Sequence, residues 1–327
     1  MSQFIALWQN AIVFGTVILF GALGELVTEK SGNLNLGTPG IVYLGGIGSL
    51  VGSFFYELSV AQPSPVVGVV IALICGLACA ALGGLVFSFM TITLRANQNV
   101  TGLTLTIFGS GVANFFGGSL NKLAGGVGQI SVAATSSGFR AVTPLATNTG
   151  VIGQMLFSYG FLTYVAIILA ILVSVFLSRT RTGLNLRAVG ESPATADATG
   201  ISVTKYKYVS TCVGAAITGL GGVFYTMNYV KGTWANDGTM EGLGWLALAL
   251  VIFASWKSLN VIWGSYLFGI LYWLYFFIGG LTRYSQEIFK MLPYLVTIVV
   301  LVISSMRRKK ENMGPAALGL SYFREER

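Results

Sequence analysis

Long apolar stretches dominate the chain, and the few charged residues fall between them. A helix needs about 20 apolar residues to cross the hydrocarbon core of a membrane. Charge-free stretches of roughly that length cover residues 1–24, 31–56, 58–94, 96–121, 149–178, 208–230, 242–256, 258–282 and 291–306. None shows the turn-bounded alternation of a β-barrel. The pattern predicts an all-α, polytopic membrane helix bundle of about nine spans, with eight to ten as the range.

Small residues recur within these stretches at the spacing of one helix face. Gly76, Ala80 and Gly84 are four residues apart, and Gly214, Thr218 and Gly222 repeat the spacing. In lipid, such faces let helix backbones approach closely. We therefore predict that these positions serve helix packing and do not bind a ligand.

The composition supports a membrane location and limits the chemistry. Hydrophobic residues make up 54% and charged residues 9% of the 327 residues, against about 25% charged in a typical soluble domain. There is no histidine, which excludes Ser-His-Asp and Cys-His nucleophiles and the HExxH zinc motif. The three cysteines lie inside apolar stretches and are expected to pack as small hydrophobic residues. We predict no catalytic residue and no metal site.

Basic residues near the ends of spans mark the cytoplasmic side of a membrane protein. They cluster at Arg179, Arg181 and Arg187, at Lys205 and Lys207, at Lys257, and in the run 307–310. All can be cytoplasmic together if the C-terminus is inside and the N-terminus outside. The connections 119–156 and 229–241 then lie outside. We predict one transmembrane domain over residues 1–306 and a cytoplasmic tail over 307–327, first basic and then of mixed charge.

The net charge of +8 does not require a nucleic-acid partner. Much of it lies in the tail and in the cytoplasmic loops, where a basic segment meets the anionic membrane lipid of the inner leaflet.

Two amide-rich segments interrupt the apolar pattern. Residues 31–40 combine Gly, Asn and Pro, and residues 95–102 begin Arg-Ala-Asn-Gln-Asn. Broken backbone at membrane depth is tolerated where it lines a cavity or is buried in protein, and in transporters such breaks lie at the substrate site. This hypothesis makes the following residues candidates for the substrate pathway: Asn33, Asn35, Gln98, Asn99 and Asn114. The alternative is that both segments are ordinary cytoplasmic turns.

The segment 187–200 reads RAVGESPATADATG and is too short and too polar to span a membrane. Ser192 followed by Pro193 is typical of a helix start, and Gly200 is typical of a helix end. The pattern predicts a two-turn helix, tethered at both ends on the cytoplasmic face. Such a helix can dock in a groove of a soluble partner or serve only as an amphipathic linker.

Several segments together resemble a known family. They are GEL at 24–26 with SGNLNLG at 31–37, LRANQNVTGL at 94–103, RAVGESPATADATGI at 187–201, GLGG at 219–222 and LALALVIF at 246–253. Their order and spacing resemble the permease subunits of ABC importers in the branched-chain amino acid, ribose and simple-sugar permease family. The closest branch is the nucleoside permeases that work with basic-membrane-protein lipoproteins.

The resemblance implies a set of partners in the bacterial cytoplasmic membrane. They are a second permease subunit, expected to be a different homologous chain, a cytoplasmic ABC ATPase, and an extracytoplasmic substrate-binding lipoprotein. This chain has no GxxxxGK[ST] phosphate loop and is expected to bind no cofactor, because ATP and Mg²⁺ belong to the ATPase. The segment 187–200 corresponds to the coupling helix. Its ATPase-coupling residues would be Arg187, Gly190, Glu191, Pro193, Ala196 and Gly200.

The chain departs from the family at two points, one of which is Ala254 after Phe253, where the family usually has Gly. Two alternatives also stay open. Where the family often has Glu between Gly37 and Gly40, this chain has Thr38 and Pro39, which suggests the less ligand-active half of a heterodimer. The substrate of a permease of this family can instead be a simple sugar of the ribose or galactose type, or an amino acid. An ion-coupled secondary carrier would need a buried acid, for which Glu25 is the nearest candidate.

Overall fold

The computed structural model describes residues 2–126, 129–142, 150–235, 237–278, 283–307 and 313–323. Within these residues the chain is helical, and its extended pairing is limited to an isolated bridge between Ser131 and Thr233. The helices are α1 Ser2–Glu29, α2 Thr38–Ser59, α3 Pro65–Ser88, α4 Gln98–Leu123, α5 Ala133–Phe139, α6 Gly150–Leu156, α7 Phe161–Arg179, α8 Arg181–Glu191, α9 Pro193–Ala198, α10 Val203–Phe224, α11 Thr239–Phe253, α12 Ser258–Phe277, α13 Arg283–Lys290 and α14 Leu292–Arg307. The prediction of an all-α bundle is confirmed.

Seven helices in the described part of the chain are long and apolar enough to cross a membrane. They are α1, α2, α3, α4, α7, α10 and α12, and two continue as π-helical turns, Phe89–Thr93 after α3 and Tyr225–Tyr229 after α10. Helices α11 and α14 have only 15 and 16 residues. The expected count of nine is therefore not confirmed. Charge-free length overestimated the span at 242–256, because the helix ends at Phe253 and residues 254–256 form a turn.

The core of the bundle is made by α1, α2, α3 and α10, which meet through small residues. A Cβ atom built on Gly24 would lie 2.2 Å from the carbonyl oxygen of Gly214, and one on Gly45 would lie 2.4 Å from that of Gly219. On α3, Gly84 lies against Ala215 of α10 in the same way. The predicted packing role is confirmed for Gly76, Gly84, Gly214 and Gly222, each of which lies close against a neighbouring helix.

The outer faces of the bundle are apolar and exposed. Ile74 on α3, Ile107 on α4 and Trp263 on α12 are 61%, 73% and 79% exposed. Exposed apolar surface on this scale is what lipid or a second membrane subunit would cover.

The connections separate cleanly into two ends of the bundle. At one end, called the tail end, residues 313–323 contact the α1–α2 connection, the turn at Arg95, the segment 180–202 and the turn at Trp256. At the opposite end, the Trp8 indole near the start of α1 donates to the Met155 carbonyl, and Val132 N–H donates to the Gly232 carbonyl. The basic clusters predicted to share one side lie at the tail end where they are described. Parts of the predicted loops and tail, at 127–128, 143–149, 236, 308–312 and 324–327, lie outside the described residues.

We predict that Gly222→Ala destabilises the bundle. A methyl group there would lie 1.9 Å from the Val42 carbonyl oxygen and 2.6 Å from the Gly46 nitrogen, and overpacking of this kind costs about 1–3 kcal/mol. Thermal unfolding of the detergent-solubilised protein measures the effect. Gly118→Ala is the matched control, because its Cβ meets nothing within 4 Å. Equal melting temperatures for the two variants would contradict the packing described here.

Candidate functional site

The predicted helix break lies between α1 and α2, and its residues 30–37 are called the break. Gly32 adopts a φ of +88°, a conformation that glycine reaches without strain. Asn33 and Asn35 are each 1% exposed, so this irregular backbone is buried in protein. Its polar groups need partners within the chain, because neither lipid nor bulk water can supply them there.

Glu25 in α1 supplies two of these bonds. Its carboxylate accepts a hydrogen bond from the Asn35 backbone N–H at 3.1 Å and another from the Thr38 hydroxyl at 2.6 Å. The carboxylate therefore lies at the N-terminus of α2, where negative charge is favourable. Both oxygens are used in holding the chain. No group of three or more Cys, Asp or Glu residues that could hold a metal occurs in the part of the chain that the structure describes.

Gln98 and Asn33 complete the site around the break. The Gln98 side-chain oxygen accepts from the Leu34 backbone N–H at 2.7 Å, and the Asn33 amide donates to the Thr211 hydroxyl at 2.9 Å. The Asn33 side-chain oxygen is buried without a hydrogen-bond partner. The structure thus brings together three of the five predicted pathway residues: Asn33, Asn35 and Gln98.

The other two predicted pathway residues lie elsewhere. Asn99 is exposed at the start of α4, because helical rotation turns it away from its neighbour Gln98. Asn114 is nearer the opposite end, where its side-chain oxygen accepts from the Trp234 indole at 3.2 Å. Sequence reasoning also missed Asn97, the N-cap of α4, although an Asn before a helix is a recognised signal.

A polar cavity of about 190 Å³ adjoins the break at the tail end. Its lining includes Asn33, Thr91, Arg95, Gln98, Lys207 and Tyr322. Lys207 is only 3% exposed, and its ammonium group donates to the Leu320 carbonyl at 3.4 Å. The cavity joins two of the predicted pathway residues, Asn33 and Gln98, to the tail end of the bundle.

The predicted coupling helix 187–200 is two helices in the structure. Arg187, Gly190 and Glu191 lie in α8, which ends before Ser192, while Pro193 and Ala196 lie in α9. The division falls at Ser192 because proline lacks an N–H and fits only the first turn of a helix. Gly200 has a φ of +86° and follows α9, as the stop signal predicted.

These two helices have distinct inner and outer faces. Ala196 is 3% exposed and packs with Val189 and Val203. A Cβ on Gly190 would lie 2.3 Å from the Lys30 carbonyl oxygen, so α8 rests on the start of the break. The outer face of α9 consists of exposed small residues: Ala194, Thr195, Ala198 and Thr199.

A basic groove of about 480 Å³ lies beside α8, lined in part by Lys30, Arg187, Trp256 and Lys257. Burial lowers the pKa of Lys30, the positive charge of Arg187 lowers that pKa further, and Glu191 opposes the shift. The Trp256 indole donates to the Glu29 carboxylate. Ser255 and Trp256 both have positive φ, at 53° and 55°, a conformation that is rare for residues other than glycine.

Comparison with known proteins identifies the family of the chain. The family described as the branched-chain amino acid transport system / permease component matches residues 7–301, and the chain belongs to this family. A Haloferax volcanii protein, TsgC13, whose name assigns it provisionally as a glucose ABC transporter permease, is 31% identical over 99% of both chains. The Lactococcus lactis nucleoside ABC transporter permease NupC and the Bacillus subtilis guanosine ABC transporter permease NupQ are each 29% identical over 97% of this chain and 96% of their own. No solved structure matches the chain.

The protein is therefore a multi-pass membrane permease of the ABC transporter class, and its relatives are transport components and not catalysts. The resemblance found from the sequence is confirmed. The site consists of a buried break, a polar cavity beside it, and two short helices that rest on the break.

We predict that Glu25→Gln preserves stability and transport, whereas Glu25→Leu loses both. The glutamine oxygen can still accept from Asn35, and its amide can donate to Thr38, whose hydroxyl also bonds the Asn35 carbonyl at 3.1 Å. Leucine leaves a buried N–H unpaired, which costs about 1–3 kcal/mol. Melting temperature and uptake are the measurements. Loss of uptake in a stable Glu25→Gln protein would instead favour an ion-coupled carrier that needs the titrating acid.

Proposed function

We propose that this chain is the membrane-spanning subunit of an ABC importer for nucleosides, driven by a cytoplasmic ATPase. The observation that carries the proposal is the match to two permeases named for nucleoside and guanosine transport along nearly their whole length. The chain would form half of the translocation path in a bacterial cytoplasmic membrane. ATP and Mg²⁺ would be bound by the ATPase and not by this chain.

The tail end supports the proposed place of the ATPase. Lys30, Arg95, Arg187 and Lys257 lie at this end, and basic residues near span ends favour the cytoplasmic side. The outer face of α9 is free and built from small residues. This orientation would place the start of α1 outside, together with the described parts of 119–156 and 229–241, which would meet the substrate-binding lipoprotein.

The second permease subunit would cover part of the exposed apolar surface, and we propose a different homologous chain. This chain has Thr38 and Pro39 at the start of α2, where the family often has Glu. Here Glu25 reaches the Thr38 hydroxyl from α1, so the acid near this position serves to hold the break. Such a subunit suits the less ligand-active half of a heterodimer.

The substrate would leave the membrane through the region around the break. Asn33, Asn35 and Gln98 stand together there, beside the polar cavity. The buried, unpartnered oxygen of Asn33 is an acceptor that a polar substrate or water can satisfy. Asn99 and Asn114, which lie apart from this cluster, would contribute less to substrate passage.

We predict that Ala198→Trp prevents the ATPase from co-purifying with the permease. Ala198 is exposed at the end of α9, so a large side chain there disturbs docking without entering the core. Ala61→Trp makes the same exposed change in the loop at the opposite end and should retain the ATPase. Affinity purification in mild detergent, with identification of the bound chains, is the measurement. Retention of the ATPase by Ala198→Trp at the wild-type level would refute docking on α9.

The substrate class can be tested by competition. We predict that unlabelled nucleosides suppress uptake of labelled guanosine by cells that express the complete transporter, whereas glucose and ribose do not. Glucose is the second candidate, because TsgC13 matches over 99% of both chains. A strain lacking this chain provides the background. Uptake of glucose that depends on this chain and is unaffected by nucleosides would overturn the nucleoside assignment.

A further inference from the structure

Residues 313–323, here called the strap, fold back over the tail end of the bundle. A solvated tail would leave its residues exposed, but Pro315 and Ala317 of the strap are buried. Near its start, Gly314 lies so close to the Trp256 ring that a Cβ on this glycine would be 2.8 Å from the ring. The strap continues across the coupling helices to Phe323, whose ring lies 4.7 Å from the Arg95 guanidinium carbon.

Two backbone hydrogen bonds fasten the strap between α8 and the break. The Ala317 N–H donates to the Gly190 carbonyl at 3.0 Å, and the Gly319 N–H donates to the Gly32 carbonyl at 3.0 Å. The three backbones converge so closely that a Cβ on Gly32 would lie 3.3 Å from the Ala317 oxygen and 3.5 Å from the Gly190 Cα. The strap therefore links the end of α8 to the break.

A side-chain contact fastens the strap to α9. The Tyr322 hydroxyl donates to the Asp197 carboxylate at 2.8 Å, and the Tyr322 ring packs on the buried cluster of Val189, Ala196 and Val203. All of these contacts lie on the inner face of α9. The residues of its outer face are exposed and take no part in these contacts, so the strap does not occupy the docking face.

The same segment closes one side of the polar cavity. Ser321 and Tyr322 line it, and the Leu320 carbonyl accepts from the Lys207 ammonium at 3.4 Å. Asn33 and Gln98 line it from the break and from α4. A movement of α9 that carries the strap with it would therefore act on the Gly32 carbonyl and on the wall of this cavity together.

We propose that the strap is a transmission element, which carries movement of α9 to the break so that ATP hydrolysis is converted into transport. This inference rests on the proposed function, because it assumes an ATPase docked on α9. The break also touches α8 directly through Gly190 and Lys30. The strap adds a hydrogen-bonded route from α9 itself, through Tyr322 and then Gly319, to the break.

The test uses the assembled transporter in lipid vesicles, with its ATPase, partner permease and loaded binding lipoprotein. The variant Ala317→Pro with Tyr322→Phe removes the N–H that bonds Gly190 and the hydroxyl that bonds Asp197. Labelled guanosine is the probe, or glucose if the wild type carries glucose. Uptake and ATP hydrolysis are measured in one preparation. We expect substrate carried per ATP to fall about fivefold or more, the lower range of typical coupling between sites, while the ATPase still co-purifies.

Leu320→Ala is the matched control, because its side chain is 60% exposed and its carbonyl, which bonds Lys207, is kept. It should transport as the wild type does. Tyr322→Phe alone is the milder second variant and should lower the ratio in the same direction, so the test survives if Ala317→Pro fails to fold. Hydrogen exchange of the segment 187–200 should accelerate in the double variant, while exchange in α1, α3 and α10 stays unchanged.

An unchanged ratio of uptake to hydrolysis in a folded strap variant would overturn the proposal. So would a rise in both rates, which would make the strap a brake, and so would unchanged exchange over 187–200. Failure of the proposed function gives a different result, because the wild type itself would then bind no ATPase or carry no substrate.

Discussion

The need to satisfy every backbone polar group away from water governs this structure. The break at 30–37 interrupts the helical bundle and is largely buried in protein, so its backbone groups must find partners within the chain. Its amides and carbonyls are satisfied by side chains from elsewhere, namely Glu25 in α1 and Gln98 and Thr106 in α4, and by the backbone of Gly319 in the strap. Together these bonds join the break to α1, α4 and the strap. The irregular segment therefore connects the end of α1, the start of α4, the helices α8 and α9, and the strap.

That arrangement explains why the proposed coupling and pathway regions are adjacent. Gly190 can approach the Lys30 carbonyl because glycine has no side chain, whereas a Cβ at this position would lie 2.3 Å from the carbonyl oxygen. The polar cavity then has the break on one side and α10 and the strap on the others. A transporter without its own energy source needs an input surface close to the part of the path that must change shape. Here α8 touches the break directly, through Gly190 and the Lys30 carbonyl oxygen.

Local signals in the sequence predicted the local features well. Gly32, Asn33 and Pro39 indicated the break, Ser192, Pro193 and Gly200 indicated α9, and the spaced glycines indicated close helix packing. Contacts between distant residues could not be predicted, since nothing in the sequence pairs Leu34 with Gln98 or Gly32 with Gly319. From the sequence we assigned Gln98 and Asn99 the same role in the substrate pathway, although helical rotation buries Gln98 and exposes Asn99. The strap has no periodic pattern, so its ordered path depends entirely on partners that other segments supply.

The glycine contacts between α1, α2, α3 and α10 limit how such a protein can move. A contact between two backbones has no rotamer to change, so Gly24 against Gly214 and Gly45 against Gly219 offer no alternative packing within the core. Tightly packed cores respond to force by shifting between discrete arrangements and not by gradual deformation. These four helices would consequently move together as one rigid body. In alternating access, the substrate path would then open and close at the outer surfaces of this rigid body, where it contacts neighbouring helices or subunits.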